Sequence, residues 1–151
     1  MLYQPVMFIH LAVLAAASTF SCAPAQVWDG DTFTCADGKK IRVSGIAARE
    51  VLWNGERMLD AGCSEGHPCP TATGVAAREY LASLFGGARG VGPHGHLLVA
   101  GPLLRCRSDG SAHSRIAAWC SSSATGDVSC RMVQEGYALK WQRYWKLHVC
   151  R

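Results

Sequence analysis

The sequence predicts a small α+β domain that is mainly β: a five-stranded Greek-key barrel of the OB type with two or three helices. Three observations lead there. Residues 27–43 carry a hairpin signature, in which Asp37-Gly38 separates the β-prone run Thr32-Phe33-Thr34-Cys35 from the alternating Lys40-Ile41-Arg42-Val43. One amphipathic helical pattern falls between strand patterns, and the chain finishes in helical patterning after Val128. With 151 residues, 49% of them hydrophobic, the chain suffices for one core and is too short for two ordinary domains.

Taken in order, residues 7–17 are apolar and end in small residues, the pattern of a secretory signal peptide and too short to span a bilayer. No Lys or Arg precedes the run, and His10 interrupts it. Cleavage after Ala17 leaves a domain of 18–151 with all eight cysteines; cleavage after Ala25 removes 1–25 and strands one cysteine. Parity favours the first. No later stretch has the length and apolarity of a membrane span, so the expected product is a secreted or periplasmic monomer without membrane contact.

Residues 20–46 are expected to give the first three strands. Residues 51–74, punctuated by Asn54-Gly55, Gly62, Gly66, Pro68 and Pro70, keep no period and read as a surface loop near the site. Ala77, Leu81, Leu84 and Phe85 then fall at helical spacing, with Thr71 or Thr73 as the cap and Gly86-Gly87 as the stop. Residues 86–96 are a flexible connection and not a phosphate loop, because no strand precedes them and no Gly-Lys-Ser/Thr follows. Short strands are expected over 97–99, 103–107 and 115–120, with a turn over 108–113 and a polar loop over 121–126. A short helix over 128–135 ends at Gly136.

Eight cysteines in so short a chain point to an oxidising compartment and a disulfide framework. Cys22 and Cys35 lie on either side of the Asp-Gly-Asp turn, Cys63 and Cys69 can close the irregular loop, Cys106 and Cys120 sit on strands joined by a turn, and Cys130 can reach Cys150. Eight cysteines allow 105 pairings, so these are candidates; each bridge typically contributes about 2–4 kcal/mol. A competing reading makes Cys63, His67 and Cys69 zinc ligands, at an unusual spacing for such a site.

The chemistry concentrates in residues 27–50. Asp29 and Asp31 flank Gly30 ahead of Thr32, the strand Ile41-Arg42-Val43 follows, and Arg49-Glu50 ends the next apolar step. Acid, guanidinium and a second acid are the parts of a phosphodiester site. This stretch resembles the staphylococcal nuclease (thermonuclease) family in its Asp-Gly-Asp-Thr turn, its Arg-bearing strand and its glutamate. Ser114-Arg115-Ile116-Ala117 is similar to the family's Gly-Arg-x-Ala strand, and residues 127–138 to its closing helix. The sequence departs at Ala47, where the family usually has aspartate, and at Arg49, where it usually has proline.

What the resemblance implies is a nuclease that hydrolyses DNA or RNA phosphodiesters with Ca²⁺. Asp31 would be a calcium ligand, Ala48 would supply a backbone carbonyl, Glu50 would activate or orient water, and Arg42 and Arg115 would grip the phosphate through guanidinium forks. Ala47 cannot ligate a metal, and calcium affinity depends strongly on carboxylate count, so Asp29 or Glu50 would have to compensate. Arg49 adds positive charge beside the site. The alternative is an OB-type module that binds nucleic acid or another polyanion without cutting it.

A plainer reading stands beside each residue. Asp29 and Asp31 suit turn geometry, the arginines suit solvated strand positions, and Glu50 suits pairing with Arg49 or Arg42. After Glu135 the chain has Lys140, Arg143, Lys146 and Arg151 and no acid, interleaved with Trp141, Tyr144 and Trp145. That composition suits single-stranded nucleic acid, with Trp141 and Tyr144 stacking on bases; the same aromatics at helical spacing also suit a face packed on the core. His94, His96 and His113 read as exposed loop residues. The net charge of +4 permits an anionic partner, which clustered charge must then recognise.

Overall fold

The computed structural model describes residues 17–151, so the signal-peptide reading lies, but for Ala17, outside the described residues. The chain runs β1 (Thr19–Cys22), β2 (Pro24–Asp29), β3 (Thr32–Cys35), β4 (Lys40–Val43), β5 (Ile46–Ala47), β6 (Glu50–Trp53), β7 (Met58–Gly62), α1 (Gly74–Leu84), β8 (Gly90–Val91), β9 (Leu97–Leu98), β10 (Leu104–Ala112), β11 (Arg115–Ser122), β12 (Gly126–Asp127), α2 (Val128–Gln134), β13 (Leu139–Lys140) and α3 (Gln142–Trp145). It is mainly β, with three helices among the described residues.

The main sheet is mixed, in the order β1-β10-β11-β4-β3-β2-β9-β8, with β12 added to β11. Its one parallel pair is β4 with β11, which sets Arg42 opposite Ala117; every other neighbouring pair is antiparallel. Among the described residues no pairing joins the two ends of this sheet, so it is not closed into a barrel. Two ribbons, β5 with β13 and β6 with β7, lie off the sheet.

Strand alternation decides which side chains enter the core. Ile41 and Val43 are buried on β4 while Arg42 between them is turned away; Leu104 and Cys106 are buried on β10 while Arg105 and Arg107 are exposed. The helical period of α1 does the same for Ala77, Leu81 and Ala82, with Phe85 buried at the helix end. Phe85 meets Phe33 of β3 edge-on, 4.9 Å between centroids. Of the two candidate caps, Thr73 serves, its hydroxyl accepting the Ala76 amide at 3.1 Å. Asp127 caps α2 in the same way, accepting from the Cys130 amide at 2.9 Å. Disulfides join Cys22 to Cys35, Cys63 to Cys69, Cys106 to Cys120 and Cys130 to Cys150, and no free cysteine remains among the described residues.

Several expectations are corrected. Residues 51–74 are not wholly irregular: β6 and β7 form a hairpin around Asn54, whose side chain accepts the Glu56 and Arg57 amides at 2.9 and 2.8 Å. The stretch 20–46 holds more than three strands, because the first strand is broken at Ala23 into β1 and β2 and Ile46 begins β5. The turn placed over 108–113 is strand as far as Ala112, with an irregularity between Ser108 and Ser111 that absorbs the turn-prone Ser-Asp-Gly run. The connection over 86–96 contains β8. The tail forms a helix only over Gln142–Trp145, of which Trp145 alone is buried.

Because Phe85 joins the helix to the sheet, Phe85→Ala is expected to cost about 3–5 kcal/mol. Urea unfolding checks this: the midpoint falls with an unchanged slope. A shift under about 1 kcal/mol would remove Phe85 from the core argument.

Candidate functional site

The site is built where β2, β3, β4 and β11 run side by side inside the main sheet. Thr32 pairs with Arg42 across β3 and β4, and Arg42 lies opposite Ala117 of β11, two residues beyond Arg115. Asp31 is 5% exposed, and a carboxylate that deep must be paired or neutralised. It is paired: Oδ2 meets the Arg42 guanidinium at 3.1 Å and accepts the Ala48 amide at 3.3 Å, while Oδ1 accepts the Thr32 hydroxyl at 3.1 Å. Arg42 also donates to the Val43 and Ile46 carbonyls, each at 2.9 Å, which fixes the fork. Arg115 donates to the Thr32 hydroxyl at 2.9 Å, so Thr32 bridges the second guanidinium to Asp31.

Asp29 and Glu50 complete the acidic side. Asp29 accepts the Asp31 amide at 3.0 Å. Its carboxyl is held well above the usual range, by burial first, then by the charge of Asp31, with a smaller push from Glu50. The three carboxyls therefore share one electrostatic neighbourhood. Glu50 pairs with neither arginine; it accepts the Ser64 hydroxyl at 3.0 Å, from the disulfide-closed loop that follows β7.

Close packing explains two glycines here. A Cβ on Gly30 would sit 2.6 Å from the Ala77 side chain and 2.8 Å from that of Ala48, so only glycine lets the Asp29–Asp31 turn lie against α1. A Cβ on Gly74 would fall 2.3 Å from the Glu50 carbonyl oxygen. The first turn of α1 thus rests on the backbone that carries Glu50. Asp60 of β7 secures the arrangement by accepting the Gly74 amide at 2.7 Å and the Arg49 guanidinium at 2.9–3.2 Å. The positive charge that Arg49 is expected to add beside the site is paired with Asp60. Hydrogen bonds from Arg49 and Gly74 lower the Asp60 pKa to about 2.

A cleft of about 630 Å³ adjoins the two phosphate-type arginines. Arg42 and Arg115 are in its wall, together with His67, His113, Arg143 and Lys146, and with Trp141 and Tyr144. Asp29, Asp31 and Glu50 are not; Asp31 meets Arg42 from outside that lining. Trp141 is half-buried, 4.3 Å from the His67 ring and 4.7 Å from Tyr144, which is 41% exposed. Sequence reasoning tied His67 to zinc and left His113 in a loop. Their place beside the cleft depends on folding of the 63–69 loop and of the β10–β11 hairpin, which no local pattern encodes. The zinc reading is corrected, because the sulfurs of Cys63 and Cys69 are bonded to each other.

The donors available to a hard cation are the carboxylates of Asp29, Asp31 and Glu50, with Ala48 held beside Asp31 by its amide. Oxygen-only donors of this kind are the type that calcium prefers. They are not drawn together: the group of three ligand-type atoms within 4.8 Å found among the described residues is elsewhere, at Asp127, Cys130 and His148, and Cys130 is committed to a disulfide. Ala47 is fully buried on β5 and adds only a methyl group. No model of a known protein family matches the chain, and no curated protein matches it.

Asp60 sets a pH dependence. Its folded pKa is depressed, so its stabilisation is present above the ordinary value of about 4 and is lost as pH falls toward 2. Thermal melts of wild type and Asp60→Asn between pH 6 and pH 2 are expected to differ most at the upper end and converge at the lower. A gap that stays constant across the series would contradict this.

Proposed function

We propose that the chain is a secreted nuclease-like protein of thermonuclease type, acting on nucleic-acid phosphodiesters. The observation that carries this is that Arg42 meets Asp31 and Arg115 meets Thr32, whose hydroxyl links it to Asp31, with both arginines lining a cleft that also carries cationic and aromatic side chains. An OB-type Greek-key core is part of the proposal. It is supported by the antiparallel run β2-β3-β4, the parallel step to β11, the β10–β11 hairpin, and a first strand whose two halves, β1 and β2, pair at opposite sides of that set.

In this reading the substrate phosphate sits against the two guanidinium groups, whose forks match its non-bridging oxygens and stabilise the charge that builds up during attack. Glu50, positioned by Ser64, accepts the proton of the attacking water. Trp141 and Tyr144 offer ring faces to bases. Asp31, Asp29, Glu50 and the Ala48 carbonyl are the proposed holders of Ca²⁺, which when bound supplies Lewis-acid compensation of the phosphate charge. A second reading, a nucleic-acid or polyanion-binding module without cleavage, is favoured by Ala47 and by the commitment of Asp31 to Arg42.

Heat-denatured DNA with Ca²⁺ or chelator, given to wild type, Glu50→Gln and Ala47→Asp, tests both. The expected result is chelator-sensitive cleavage by wild type, reduced about 10²–10⁴-fold in Glu50→Gln and raised in Ala47→Asp. Binding without cleavage by wild type would replace the enzyme reading with the module.

A further inference from the structure

Beyond the cleft, a second cavity of about 230 Å³ opens on the same strand, β10. Its wall contains Arg105 and Arg107, the two outward residues of the alternating stretch Leu104–Arg107, with Thr19, Ser121, Asp127 and His148. Farther along β10, Asp109, Ser111 and Ala112 belong to the first cleft. The C-terminal segment also contributes to both, Lys146 to the first cavity and His148 to the second. The two cavities therefore follow one another between β10 and the C-terminal segment.

Charge runs the same way. Two acids lie on this path, and each is engaged: Asp109 with Lys146 at 3.1 Å, and Asp127 with His148 at 2.7 Å as well as with the Cys130 amide. Arg105 and Arg107 are exposed and make no ion pair among the described residues. Two unpaired guanidinium groups two residues apart on one strand face, flanked by the hydroxyls of Thr19 and Ser121, are suited to oxyanions. From Arg107 to Ser111 the strand covers about 13 Å, the length of about four stacked nucleotides.

We propose that Arg105 and Arg107 form a second anion subsite, which extends the cleft along β10 and takes backbone phosphates of a single-stranded nucleic acid. The inference rests on the nucleic-acid reading of the first cleft and adds to it that the bound strand is several nucleotides long. Continuity with that cleft is what favours a nucleic acid over an anionic membrane surface, since a phosphate chain can follow a groove bounded on both sides.

The test measures binding of a fluorescent single-stranded oligonucleotide of about 16 nucleotides, and of a dinucleotide carrying terminal phosphates, across a salt series. Wild type is compared with the double variant Arg105→Ser/Arg107→Ser and with Arg105→Lys/Arg107→Lys. For the long oligonucleotide, the serine variant is expected to bind more weakly, with the slope of log K against log salt shallower by about 1.4, two contacts at about 0.7 each. The lysine variant restores most of that slope, and the dinucleotide binds alike to all three. Equal affinity and slope for the long oligonucleotide in wild type and the serine variant would overturn the subsite and leave the first cleft standing. Failure of wild type to bind either oligonucleotide would overturn the parent reading and the subsite with it. Loss of binding to vesicles of anionic phospholipid, with oligonucleotide binding unchanged, would also overturn the subsite.

Discussion

The buried ion pair between Asp31 and Arg42 is the constraint around which this end of the molecule is arranged. A carboxylate at 5% exposure is unfavourable without partners, and here every oxygen is used, by Arg42, by the Ala48 amide and by the Thr32 hydroxyl. Those partners come from β3, from β4 and from the backbone after β5, so satisfying one acid registers three segments against each other. Arg115 joins through Thr32, and Asp29 through the Asp31 amide. Breaking such a pair by removing one member typically costs about 3–5 kcal/mol, because the other charge is left buried alone. The pair is thus a structural joint as well as part of the candidate site.

The same economy of space holds Glu50. Gly30 and Gly74 lie where any side chain would collide, so α1 presses on both the Asp29–Asp31 turn and the Glu50 backbone. Asp60 then ties the start of α1 to Arg49. The acids are consequently set by helix packing rather than by the strands alone. What this arrangement gives up is a second metal-type carboxylate: Ala47 is part of the core, and the free charge facing the cleft is cationic.

Much of this was legible in the sequence where the signal is local. The Asp37-Gly38 turn and the alternation of Lys40–Val43 specified the β3–β4 hairpin, and the spacing of Ala77, Leu81 and Phe85 specified α1, with its cap narrowed to Thr71 or Thr73. The β6–β7 hairpin was obscured because its strands are short, half exposed and set among glycines and prolines, although Asn54-Gly55 was a usable turn signal. In the Ser108–Gly110 run, residues that favour turns are absorbed as an irregularity between Ser108 and Ser111, both of which pair with β11. Asp60, Ser64, His67 and His113 could not be assigned from spacing, since each reaches its place only after distant segments pack. The expected five-stranded barrel illustrates the same limit, because the mainly β character is local while the mixed sheet and its open ends depend on long-range pairing.

Carboxyl carbon NMR titration of Asp29 in the folded protein tests the central claim most directly. If Asp29, Asp31 and Glu50 share one corner beside Arg42, Asp29 titrates well above the ordinary carboxylate value of about 4, through desolvation first and then the charge of Asp31. An ordinary Asp29 titration would contradict the account, because it would mean that the three acids do not share that corner.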